Sequence, residues 1–122
     1  MSVRFWPVIV ALGVAAASGA TFAETQQDEA ERLANQARAV AHQGDNTTAM
    51  RLWQKAIARA PEQRSQWLGE LAEQTTYAGH AAEAVPLYRE VLLGTSLTPE
   101  KRRRARLGLA LALSWSRQNQ AA

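Results

Sequence analysis

The chain contains two similar stretches, LANQARAVAHQGDNTTAMRLWQKAI at positions 33–57 and LGELAEQTTYAGHAAEAVPLYREVL at positions 68–92. Aligned at an offset of 35 residues, they match small apolar residues with small ones and large with large. The matched pairs are Leu33 and Leu68, Ala37 and Ala72, Gly44 and Gly79, Ala49 and Ala84, Leu52 and Leu87, Trp53 and Tyr88, and Ile57 and Leu92. A repeat of this length predicts a stacked helical array, in which no unit buries its apolar face alone.

The apolar residues recur at helical spacing through nearly all of this region. They predict helices over 28–43, from 46 to 60, over 62–78, over 81–93 and from 99 to 118, and no strand. Gly44 and Gly79 are expected to end helices, because glycine accepts the left-handed conformation that closes them. Asp45 and Asn46 supply side-chain oxygens that start the second helix, and Thr98 supplies one that starts the fifth. Pro86 is expected within about the first turn of the fourth helix, where a missing N–H costs little.

Several of these residues follow one family pattern. Ala37 and Ala49 are small residues at two packing positions, Trp53 follows four residues later, and Ala56 and Pro61 complete the unit. The pattern resembles the tetratricopeptide repeat family. The second unit fits through Ala72, Gly79, Ala84 and Tyr88, but it has Val91 where a small residue is usual and Ser96 where proline is expected.

The resemblance implies an all-α, right-handed solenoid of antiparallel helix hairpins. Repeat one would cover about 30–64, repeat two about 65–99, and a partial third 100–122. Trp53 and Tyr88 occupy the family's packing position and are expected in the core. The alternative is an ordinary helical bundle whose self-similarity is accidental.

The first 23 residues are interpreted as a signal peptide. Arg4 precedes an apolar run over 5–17, and Thr21-Phe22-Ala23 is a small-x-small cleavage site. Cleavage after Ala20 and an uncleaved anchor are the alternatives. The mature domain would be 24–122, periplasmic or secreted. It has no cysteine, so regular helix packing rather than disulfides must hold it together.

No catalytic constellation is present in the sequence. His42 and His80 are the only histidines, and they do not have metal-ligand spacing. The sequence also lacks a glycine-rich phosphate loop and a nucleophile elbow. Glu70 and Glu73 are interpreted as a solvated helix face. We therefore expect no enzyme activity, no cofactor and no metal.

The strongest charge feature is a basic run near the C-terminus. It is interpreted either as a site for anions or as the solvated first turn of a helix. Nucleic acid becomes an unlikely ligand if the chain is exported. Consecutive residues step about 100° around a helix, so the run cannot form one clean patch. The residues are Lys101, Arg102, Arg103, Arg104 and Arg106.

The family resemblance implies a concave groove lined by the first helix of each hairpin. Transferring that surface residue by residue gives three columns. An aromatic column beside charged side chains could stack on a peptide or a sugar, or its rings could simply seal helix ends. The columns are Arg38, Glu73 and Leu111; Glu31, Gln66 and Arg104; and His42, Tyr77 and Trp115.

The last helix is apolar around most of its circumference. Leucines at 107, 109, 111 and 113 alternate with Gly108, Ala110 and Ala112. A helix with apolar residues all round usually packs against neighbours on more than one side. It therefore predicts self-association through Leu107 and Leu111, or a fragment of a longer array.

The functional expectation is a non-catalytic protein-interaction scaffold of the bacterial cell envelope. It would bind a peptide or protein partner, or a polysaccharide, in its groove, and contact a membrane only through an uncleaved signal segment. The alternative is the N-terminal stub of a larger envelope protein for surface polysaccharide export or assembly.

Overall fold

The computed structural model describes residues 25–121, with side chains to residue 119. These residues form five α-helices and no strand. The predicted all-α class is therefore confirmed, whereas the predicted signal peptide lies outside the described residues. The helices are α1 (25–42), α2 (Asn46–Arg59), α3 (Arg64–Tyr77), α4 (Ala81–Leu92) and α5 (Pro99–Ala121), with a short 3-10 turn at Pro61–Gln63.

The helix ends follow the chemistry of their capping residues. Gly44 and Gly79 have φ values of +85° and +92°, the left-handed region in which glycine is favoured. The Asp45 carboxylate accepts from the backbone N–H of Thr48 at 3.1 Å. The Thr48 side chain and then this backbone bond lower the pKa of Asp45. The Thr98 hydroxyl accepts from the N–H of Lys101 at 3.2 Å. The caps predicted at Gly44, Gly79, Asp45 and Thr98 are thereby confirmed.

Two local predictions were wrong. The third helix was predicted to begin at residue 62, but Pro61–Gln63 form a 3-10 turn and α3 begins at Arg64. Pro86 was predicted in about the first turn of its helix, but it is the sixth residue of α4. A proline there removes the N–H that would bond to the carbonyl of Ala82, a residue that is exposed.

Inter-helical ion pairs show how neighbouring helices run. Arg59 at the end of α2 pairs with Glu29 near the start of α1 at 2.8 Å. Arg64 at the start of α3 pairs with Glu90 near the end of α4 at 2.7 Å. Helices α1 and α2 are therefore antiparallel, and so are α3 and α4. Helix α4 packs on both α3 and α5, and α3 packs on α2 and contacts α5.

The core consists of two apolar clusters. The first contains Trp53 and Trp67, whose rings are tilted by 55° with centroids 5.9 Å apart. The second surrounds Tyr88 with small residues, Ala72, Ala84, Val85, Ala105 and Ala112. Trp53 is 1% exposed and Tyr88 is 3% exposed, which confirms their predicted core positions.

Tyr88 packs directly on the backbone of α5 at Gly108. A Cβ built on Gly108 would lie 2.6 Å from the Tyr88 hydroxyl oxygen and closer still to the ring. The leucine-rich helix therefore needs a residue without a side chain at this position. The buried hydroxyls of Thr75 and Thr76 donate to the carbonyls of Leu71 and Ala72, so neither side chain is an unsatisfied donor.

Helix α5 uses only part of its surface for this packing. Ala105 and Ala112 are buried, and Leu109 and Leu113 pack partly against the second cluster. Leu107 is 65% exposed. Over the part of the chain that the structure describes, no helix has the length and apolar character needed to cross a bilayer.

Candidate binding groove

An open groove of about 790 Å³ is lined by residues of α1, α3, α4 and α5. Helix α1 contributes Arg38, α5 contributes Lys101, Arg104 and Ala105, and a continuous face of α3 forms much of the wall. The connection between α4 and α5 contributes Gly94, Ser96 and Leu97. The α3 face and its preceding turn contribute Pro61, Glu62, Arg64, Ser65, Gln66, Trp67, Leu68, Gly69, Glu70 and Glu73.

Two ion pairs link α1, α3 and α5 across this groove. Arg38 Nε of α1 lies 3.3 Å from Glu70 Oε2 of α3. Arg104 of α5 donates to Glu73 of α3 through two nitrogens, with Nη2 2.9 Å from Oε2. Glu70 and Glu73 lie one helical turn apart. The groove therefore carries a row of charges in the order positive, negative, negative, positive.

The Arg104–Glu73 pair differs from the Arg38–Glu70 pair in its geometry and burial. It is bidentate, and the Glu73 side chain is only 20% exposed. This hydrogen bonding raises the pKa of Arg104. Arg38 instead also donates to Asn35 at 3.0 Å and holds its guanidinium 5.0 Å from the Trp53 ring centroid. Both arginines are thus positioned by more than one contact.

A third pair lines the groove near the connection between α4 and α5. Arg64 donates to both carboxylate oxygens of Glu90, at 2.7 and 2.9 Å. Hydrogen bonding to Arg64 lowers the pKa of Glu90. The apolar lining consists of Trp67, Leu68, Tyr88, Val91, Leu97 and Ala105. A rim of fixed charges over an apolar lining suits a polypeptide segment, which has both polar main chain and apolar side chains.

The structure brings together some of the predicted groove residues. Arg38 and Glu73 line the groove, whereas His42, Tyr77, Leu111 and Trp115 lie outside its lining. Tyr77 and Trp115 form a ring pair with centroids 6.2 Å apart, and Tyr77 is 50% exposed. His42 is exposed at the end of α1, outside this pair.

The basic run divides among three environments. Arg104 pairs with Glu73, and Arg102 donates to the carbonyls of Leu92 and Gly94, each at 3.3 Å. Lys101 is exposed and lies at the groove. Arg103 and Arg106 are exposed on another face of α5. Two of the five basic residues therefore hold helices together.

Sequence reasoning missed the functional position of Glu70 and the Arg64–Glu90 pair. The signal was available in the spacing, since Arg38 to Glu70 spans 32 residues and Glu73 to Arg104 spans 31. Both pairs place opposite charges slightly less than one repeat apart. Across residues 25–121, no three histidine, cysteine, aspartate or glutamate side chains are grouped in a way that could hold a metal ion.

Comparison of the chain with protein-family models, with curated proteins and with solved structures gives no match.

Proposed function

We propose that this chain is a non-catalytic protein-interaction scaffold that binds a polypeptide segment of a partner in the groove beside α1, α3 and α5. Its helices would form a right-handed solenoid of tetratricopeptide-like hairpins. The observation that carries the proposal is the open groove of about 790 Å³, with ion pairs joining three of its lining helices. The antiparallel neighbours and the Arg38–Glu70 and Glu73–Arg104 spacings support the solenoid.

The groove would bind by offering a surface that is already ordered. The Arg104–Glu73 and Arg64–Glu90 pairs fix side chains at the rim before a partner arrives. Little side-chain ordering then remains to be done on binding, which favours affinity. Apolar side chains of the partner would contact the partly exposed Val91 and Leu97, while its main chain meets the charged rim.

We further propose that the protein acts in the bacterial cell envelope, after export through the predicted signal peptide. The support is the charge and apolar pattern of residues 1–23 in the sequence. The check is the mass of the purified protein from a bacterial envelope fraction. A mature N-terminus at Glu24 or Thr21 is expected, and an intact Met1 in the cytosol would contradict the proposal.

A groove-filling substitution tests the binding proposal. Gly69 lines the groove, and a Cβ placed there meets no atom within 4 Å. Gly69→Leu therefore fills the groove without disturbing the core, whereas Gly69→Ala adds only a methyl group. We expect peptides selected on the wild-type protein from a displayed peptide library to lose binding to Gly69→Leu and to keep it with Gly69→Ala.

A second control separates groove filling from added surface hydrophobicity. Gln54 on α2 is exposed and outside the groove lining. Gln54→Leu adds a comparable apolar side chain there and is expected to leave peptide binding unchanged. If the selected peptides bind Gly69→Leu as tightly as the wild type, the groove is not the binding site.

A further inference from the structure

The described helices are joined by a recurring device, an arginine on one helix paired with a glutamate on another. Arg59 pairs with Glu29 between α2 and α1, and Arg38 pairs with Glu70 between α1 and α3. The other two are Arg64–Glu90 between α3 and α4, and Arg104–Glu73 between α5 and α3. In each case the acidic partner belongs to a different helix. An arginine beside a packing surface in this molecule is therefore normally met by a glutamate from the neighbouring helix.

One face of α5 carries three arginines that no glutamate in the described part of the chain pairs with. Arg103, Arg106 and Arg117 lie within about 60° of one another around the helix axis. All three are exposed, and none makes an ion pair with any residue in the described part of the chain. We call them the arginine row.

Beside the arginine row runs a strip with the spacing of a helix–helix contact. Leu107, Ala110, Leu111 and Ser114 recur at intervals of three and four residues. Leu107 is 65% exposed, Ala110 and Ser114 are exposed, and Leu111 is partly exposed. Small residues between leucines allow another helix to approach closely. This strip lies away from the buried Ala105 and Ala112, which face the second cluster.

We propose that this face of α5 docks an acidic amphipathic helix of a partner protein. Leucine or alanine side chains of that helix would pack on the strip, and its glutamates or aspartates would pair with the arginine row. The site goes beyond the proposed groove, since none of Arg103, Arg106, Leu107 and Ala110 lines that groove. A partner could therefore occupy both surfaces or either one.

The charges decide between this occupant and two others. A second copy of the chain, joined through the same face, would bring three more arginines against the first three, and like charges at close range are destabilising. A bilayer surface would be bound through bulky aromatic and leucine side chains on a broad apolar face. Here the strip offers one well-exposed leucine and two small residues. A narrow strip with a charged edge fits a single helix.

The test uses a fluorescein-labelled synthetic peptide of three heptads, with leucine and alanine on one face and glutamate elsewhere. Fluorescence anisotropy measures its binding to the purified chain at low and physiological salt. A peptide with lysine in place of each glutamate is the charge control. We expect binding of the glutamate peptide, weakening with salt, and at least about tenfold weaker binding of the lysine peptide.

Matched variants locate the site. Arg103→Glu with Arg106→Glu is expected to weaken binding of the glutamate peptide at least about tenfold and to restore binding of the lysine peptide. Arg32→Glu with Lys55→Glu makes the same change in net charge at exposed residues of α1 and α2, and should change the Kd less than about twofold. Leu107→Ser tests the apolar strip and should also weaken binding, with circular dichroism confirming that each variant is folded.

Four results would overturn the proposal. Unchanged binding by the α5 charge variant places the peptide elsewhere, and equal loss in the α1 and α2 variant makes the attraction nonspecific. A dimer in sedimentation that Leu107→Ser dissociates identifies a second copy as the occupant. Binding to phosphatidylglycerol vesicles that Arg103→Glu with Arg106→Glu abolishes, with no binding of the glutamate peptide, identifies a membrane as the occupant. Gly69→Leu fills the groove but leaves the α5 face intact. Binding of the glutamate peptide to this variant therefore tests the α5 face independently of the groove.

Discussion

Gly108 has a role that its place in a leucine-rich helix does not reveal. Tyr88 occupies the volume where a side chain at this position would lie. We expect Gly108→Ala to lower the free energy of unfolding by about 1–2 kcal/mol, because the strain of overpacking exceeds the gain in helix propensity. Urea denaturation followed by circular dichroism measures the change.

Gly69 provides the opposite case within the same fold. It lies inside α3, and an added Cβ meets no atom within 4 Å. Gly69→Ala is therefore expected to raise the free energy of unfolding by about 0.5–1 kcal/mol through helix propensity alone. If Gly108→Ala also raises the free energy of unfolding, Tyr88 does not pack on Gly108 as the structure describes.

The phenol of Tyr88 makes stability sensitive to alkaline pH. Burial raises the pKa of Tyr88 from 10.0 to about 12, while interaction with the Thr76 hydroxyl acts in the opposite direction. The unfolded chain loses this proton at lower pH than the folded chain. The contribution of the neutral Tyr88 phenol to the free energy of unfolding is therefore fully present below pH 10. It is lost as the pH rises from 10 to about 12.

Within that pH range the free energy of unfolding is predicted to fall by up to about 1.4 kcal/mol per pH unit. Urea denaturation of the wild type and of Tyr88→Phe at a series of pH values measures it. The phenylalanine variant retains the ring on Gly108 but has no proton to lose, so its stability should fall less steeply. Parallel pH profiles for the two proteins would assign the alkaline loss to other groups.

Trp53 is the most deeply buried large side chain of the first cluster. It is 1% exposed and contacts Trp67 and the guanidinium of Arg38. Trp53→Ala is expected to cost about 3–5 kcal/mol, enough to unfold much of so small a domain. Trp115→Ala, at a partly exposed ring, should cost less. A loss below about 1 kcal/mol for Trp53→Ala in chemical denaturation would contradict its core role.

The helices themselves could be predicted from the sequence because their signals are local. Gly44, Gly79, Asp45 and Thr98 act through their own backbone conformation or through an N–H three residues away. Periodicity then assigned Trp53 and Tyr88 to the buried faces. The start of α3 was missed because Glu62 and Gln63 are compatible with a helix, and Pro61 favours a first turn of either kind.

The ion pairs between helices follow a spacing that the alignment of the two stretches does not use. The sequence alignment compares residues 35 positions apart, but the side chains that meet are 31 or 32 apart. Residues 35 positions apart therefore do not pair directly, because long arginine side chains reach to a neighbouring turn. This stagger is why Glu73 contacts Arg104 rather than Leu111, its predicted column neighbour.

The Arg104–Glu73 pair is expected to couple α3 and α5 measurably. A double-mutant cycle with Glu73→Gln and Arg104→Gln should give a coupling of about 0.5–1 kcal/mol, near the upper end for a pair with one exposed partner. The same cycle on Arg38 and Glu70, both more than 40% exposed, should give less. A larger coupling for Arg38–Glu70 would show that burial of Glu73 does not strengthen its pair.

The two apolar clusters share side chains, and this determines how the molecule unfolds. Leu87 and Val91 of α4 pack against both clusters, so α4 links the tryptophans of α2 and α3 to the alanines of α5. Repeat arrays in which units contact only neighbours can lose cooperativity at a weak junction. We expect one transition in urea, with coincident midpoints for tryptophan fluorescence and circular dichroism.

Leu87→Ala tests this linkage, because it removes apolar contact from the junction. Its expected cost is about 2–3 kcal/mol, and the fluorescence and circular dichroism midpoints should separate as α5 loosens before the tryptophan cluster. Leu33→Ala is the matched control, since Leu33 packs only on the first cluster. It should lower stability while the two midpoints stay coincident. Coincident midpoints in both variants would mean that the clusters are coupled through contacts other than Leu87, and Val91→Ala would then be expected to separate them.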